Sequence, residues 1–112
     1  NPVVGCPFFT AGAQVGDHEP LVRVAAVELA ENIVKYYSAM VRNLISADLL
    51  NSTLDPDQTA RMIYHYIQGL LMYGRVHADL DLVNRDIRQG IYMVLDLKPE
   101  YRTFNSPATQ PA

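Results

Sequence analysis

The residues able to do chemistry in this chain are few, and their spacing argues against most reactions they could serve. His18, His65 and His77 are the candidate metal ligands or general bases. A di-metal site in a helical bundle needs inward carboxylates and Glu-x-x-His pairs. The residues three positions before the histidines are Val15, Met62 and Gly74, so that pair is absent. His77, Asp79 and Asp81 are close enough in sequence to ligate a cation, but they bracket a helix start, where capping and solvation account for them. The single cysteine, Cys6, cannot close an internal disulfide and reads as a small buried thiol among aromatic neighbours. Ser38, Ser46 and Ser52 belong to no nucleophile motif, and no glycine-rich phosphate loop occurs. The expectation is a protein that is not an enzyme and needs neither metal nor cofactor.

What remains is an aromatic and sulfur-rich interior. Tyrosine combines a large apolar ring with a polar tip, and methionine adapts to irregular gaps. Tyr36, Met40, Tyr64 and Ile67 are predicted to meet in the middle of the domain, with Phe8 and Phe9 closing one end. Such a lining suits a small apolar or aromatic ligand held by one or two hydroxyl groups. No arginine or lysine is expected on these inner faces, which disfavours a strongly anionic ligand.

The element that must position these residues spans 55–77. Asp55 before Pro56 is a helix start, a capping oxygen followed by a residue with no amide to satisfy. Ala60, Ile63, Tyr64, Ile67, Leu71 and Gly74 share one face, and Met62, Tyr66, Leu70 and Tyr73 an adjoining one. A helix apolar around most of its girth needs more than one covering neighbour. Gly69 and Gly74 sit inside it although each costs about 1 kcal/mol against alanine, which points to close approach of another backbone. The predicted dimer interface is Met62, Tyr66, Gly69, Leu70 and Tyr73 with Ile87, Gly90, Ile91 and Val94.

Upstream, residues 21–46 form the longest helical pattern. Val22, Ala26, Leu29, Ile33, Tyr36, Tyr37, Met40 and Leu44 mark its inner face, and Glu31, Lys35, Ser38 and Arg42 lie opposite. Asp17 or Glu19 is placed to cap it, and Glu31 and Lys35 to pair along it. A last amphipathic helix is predicted over 80–97, capped by Asp79 and stopped by Pro99. Residues 1–15 contain a weaker helical segment, and 99–112 read as an extended tail. No strand pattern is present. The fold class is all-α, a bundle of about four helices. At 112 residues it is one domain. A net charge of −3 with dispersed basic residues leaves no footprint for a phosphate backbone. With no signal peptide and no apolar run long enough to span a bilayer, a soluble cytoplasmic protein is expected.

The order of motifs resembles the C-terminal domain of tetracycline-repressor-type transcription regulators. The resemblance rests on Gly5-Cys6, the Asp17-His18-Glu19-Pro20 break and the long helix. It continues through Leu54-Asp55-Pro56-Asp57, Gln68-Gly69-Leu70-Leu71 and Ala78-Asp79-Leu80-Asp81, and covers about residues 4–97. It implies a regulatory domain over 1–98 and a homodimer whose last two helices pair with their mates as a four-helix bundle. It also implies small-molecule effector sensing on behalf of a repressor whose DNA contacts lie in an N-terminal helix-turn-helix domain absent from this chain. The alternative is a stand-alone helical interaction module whose apolar faces meet an unlike protein.

Overall fold

The computed structural model describes residues 12–14, 18–52 and 54–102. Cys6, Phe8, Phe9, Asp17 and the tail beyond 102 lie outside the described residues. Three long helices follow one another: α1 (Pro20–Ser46), α2 (Pro56–His77) and α3 (Leu80–Leu95), then a single 3₁₀ turn at Pro99–Tyr101. Residues 12–14 are also helical. The chain is all-α, as expected. Among the described residues β pairing is limited to one isolated bridge, Leu50 with Leu97.

The helix starts follow local chemistry. Asp55 accepts a hydrogen bond from the Asp57 amide at 3.2 Å, and Pro56 opens α2 without an amide to waste. Asp79 does the same for α3 through the Leu82 amide at 3.2 Å. Glu19 occupies the capping position of α1 but its side chain makes no capping bond, so Pro20 alone marks that start. Helix α2 ends where Ala78 turns left-handed (φ 52°), with Arg75 and His77 in the last turn beside the exposed carbonyls. The last helix stops at Leu95, two residues before the predicted end, because Asp96 turns left-handed (φ 51°) and releases Leu97 into the bridge.

Helix α2 lies against both of the others, and they meet each other far less. Its own neighbours divide the core into two clusters. Val41, Leu50, Ile63, Leu95 and Leu97 form one, joining all three helices. Leu70, Leu82 and Val83 form the other, between α2 and the first half of α3. Helix α1 is rotated from its predicted orientation. Tyr36 is 67 % exposed and Met40 is also exposed, whereas Ser38, expected on the wet side, is buried. The reason is a polar tie: Ser38 Oγ donates to Asp57 at the start of α2, and Arg42 donates to the same carboxylate at 3.1 Å. The Glu31–Lys35 pair does not form among the described residues.

A staple closes the far end. The Asn51 amide donates to the Asp96 carbonyl at 2.8 Å and the Lys98 amide to the Leu49 carbonyl at 2.9 Å, on either side of the buried pair Leu50 and Leu97. Asn51 Nδ2 also reaches Asp96 Oδ1 (3.2 Å), and Lys98 pairs with Asp48 (3.2 Å). Arg102 Nε donates to the Leu97 carbonyl at 2.9 Å.

Candidate functional site

Two places on this scaffold present side chains that the described residues leave uncovered. The first is an outward seam on α2. Met62, Tyr66, Gly69, Tyr73 and Val76 follow one another at spacings of four, three, four and three residues, the interval at which helices pack along their length. Met62, Tyr73 and Val76 are exposed, Val76 by 75 %, and Tyr73 stacks on His77 with ring centroids 4.1 Å apart. At Gly69 an added methyl would meet nothing within 4 Å. Tyr66 leans off this seam onto α3, where its hydroxyl donates to the Asp86 carbonyl at 2.6 Å. Burial, and secondarily the Asp86 carboxylate, push its phenol above the ordinary value, which keeps it a donor.

Gly90 serves that same contact. A methyl there would fall 1.9 Å from Tyr66 Cζ, so the glycine makes room for a ring of its own chain. Of the other residues predicted for an interface, Leu70 is buried within the chain and Ile87 packs against its cluster. Ile91 and Val94 are half-buried against the three-helix core. The most exposed apolar positions on α2 and α3, Val76 and Met93 (74 %), were both missed by sequence reasoning. The seam's four-three spacing continues to Val76 and was the available signal. Met93 lies within the apolar run 91–95, where nothing singles it out.

The second place is a groove between α1 and α2, about 390 Å³, within the usual range for ligand sites. Small residues on α1 create it: Ala26 and Ala30, with Val27 and Val34, stand back from Tyr64 on α2. Gly12 and Ala13 line one side, and Gly12 comes so close that an added methyl would lie 2.6 Å from Ala26 Cβ. Charged residues also line it: Arg23 and Glu31 from α1, Arg61 and His65 from α2. The expectation of inner faces without arginine therefore does not hold for this groove.

The predicted ligand-binding set is divided by the structure. Tyr64 lines the groove. Met40 and Ile67 line a smaller cavity of about 200 Å³ on the other side of the Ser38–Asp57 tie, with Tyr37, Leu44 and Ile91 among their neighbours. Tyr36 lines neither, and Phe8 and Phe9 lie outside the described residues. No cluster of three or more His, Cys, Asp or Glu side chains suited to a metal ion occurs among the described residues. There too, no helix is long and apolar enough to cross a membrane.

A sequence model of a known family, described as "Tetracyclin repressor-like, C-terminal domain", matches residues 2–89. No curated protein and no solved structure gives a significant match.

Proposed function

We propose a function that proceeds from one premise: this chain belongs to the tetracyclin repressor-like C-terminal domain family, a family of regulatory domains. Its role is to hold two copies of a transcription regulator together and to sense a small effector, with repression as the output. DNA binding in that scheme resides in a helix-turn-helix domain outside these residues. The dispersed basic side chains and the net charge of −3 support that division of labour.

The observation that carries the reading is the seam on α2. Apolar side chains at four-three spacing, left open along one helix, match what a second helix would fill. Gly69 lies at its centre, with open space where a side chain would be. That geometry suits a helix crossing its own mate near a two-fold axis, where one small residue meets itself. Met93 from α3 extends the apolar surface and gives the last two helices a joint role in a four-helix dimer bundle. The effector site in this reading is the groove between α1 and α2, whose apolar floor accepts an aromatic or aliphatic body. An unlike helical partner is the second reading, and the same seam would serve it.

Sedimentation equilibrium of the chain at micromolar concentration tests the assignment. A dimer is expected for the native chain, with dissociation in Gly69→Leu at unchanged helical content. A stable monomer in the native chain would favour the unlike partner and remove the dimer.

A further inference from the structure

We infer that the groove between α1 and α2 takes a zwitterion with an apolar body, an amino-acid-like head on a hydrophobic or aromatic group. The inference rests on the effector reading of the groove and names the chemistry of its ligand. Its floor, Ala26, Ala30, Val34 and Tyr64, offers no charge. Four charged or titratable side chains complete the lining, and they differ by wall. From α1 come Arg23 and Glu31; from α2 come Arg61 and His65, one turn apart. Arg23 is engaged in an interaction of its own. Glu31 and Arg61 border one cavity without forming a direct ion pair with each other among the described residues, and Arg61 also acts at longer range on the Asp57 carboxylate.

With the Glu31 carboxylate on one wall and the Arg61 guanidinium on the other, beside the already engaged Arg23, the groove is mismatched to a ligand of a single charge. A lone carboxylate would satisfy Arg61 and be repelled by Glu31, and a lone ammonium the reverse. A head bearing both charges satisfies both walls at once, with His65 available as a further donor or acceptor beside the carboxylate. The apolar body then covers the alanines and the Tyr64 ring, where burial is favourable and no polar group is stranded.

Calorimetric titration of the 112-residue chain with four probes sharing one ring tests this: tryptophan, tryptamine, indole-3-propionate and indole. Tryptophan is expected to bind about tenfold more tightly than either singly charged probe, the margin of one charge-assisted hydrogen bond. Glu31→Gln should abolish its advantage over indole-3-propionate, and Arg61→Gln its advantage over tryptamine. Both side chains are exposed, so neither change should unfold the chain. Equal binding of tryptophan and either singly charged probe overturns the inference. If all four bind alike and Ala30→Leu abolishes them together, the effector groove survives and only the zwitterion falls. If none binds to the folded dimer, both fall.

Discussion

The regions around Gly69 and Gly90 lie on neighbouring helices and each contains a glycine inside an apolar pattern, yet they are in opposite states. At Gly90 the space is taken: the Tyr66 ring occupies the volume a methyl would need, and its hydroxyl is tied to the Asp86 carbonyl. At Gly69 the space is vacant, and the residues along the same seam are exposed. One glycine completes a contact within the chain. The other is left open by the described residues, where the proposed partner helix would fit. Helical glycine costs about 1 kcal/mol in either place, so the same sacrifice answers two different needs.

The sharpest way to break the comparison is Gly69→Leu. If the seam pairs with its mate, overpacking of about 1–3 kcal/mol arises once per subunit, and dimerisation should weaken by about 2–6 kcal/mol. Analytical ultracentrifugation reads the shift, and the folded monomer should keep its helicity because the side chain meets nothing there. Next in size is Leu70→Ala. Leu70 is adjacent in sequence but buried with Leu82 and Val83, so the variant should lose about 2–5 kcal/mol of folding stability in urea titration.

Gly90→Ala should act on the fold through Tyr66. Displacing the ring costs about 1–3 kcal/mol by overpacking, against about 1 kcal/mol gained in helix propensity, a net loss of about 0–2 kcal/mol in denaturant midpoint experiments. In a Tyr66→Ala background the same change should be neutral or stabilising, and that non-additivity is the signature of the contact. A loss that persists without the tyrosine would move the cause to a second subunit and erase the contrast with Gly69.

The smallest effect concerns acid. Ser38 Oγ first, and Arg42 and Arg61 after it, hold the Asp57 carboxyl below its ordinary value of 3.8 despite some opposing desolvation. A carboxylate with a depressed folded value contributes stability above its unfolded value and loses it as pH falls through the folded one. Urea midpoints compared at neutral pH and near pH 3 should therefore drop less in Asp57→Asn than in the native chain. This control leaves both glycines untouched, and the dimer constant at neutral pH should not move.

Much of the fold was legible because it is written locally. Asp55-Pro56 and Asp79 announce two helix starts through groups that lie within three residues of the amides they satisfy. The rotation of α1 was not legible. Apolar residues occur on most sides of that helix, so periodicity leaves its orientation loose, and a single serine–aspartate bond decides which side faces α2. That bond brings Ser38 in and leaves Tyr36 out, which dispersed the predicted pocket. Arg61 was assigned to the wet side because its head group is charged, but an exposed side chain can still line a groove. Gly90 was expected at a dimer interface, and the space beside it is taken by the Tyr66 ring of its own chain.

The bridge between Leu50 and Leu97 sets an order of events. Leu50 follows α1 and Leu97 follows α3, so two whole helices lie between these buried partners. Helices α1 and α2 can find each other early, through residues separated by one short turn. The cavity they leave around Leu50 stays unroofed until Leu97 arrives, and joining such distant partners carries the loop-closure cost of everything between them. Until then a nascent chain exposes a leucine-lined opening that other unfinished chains could enter.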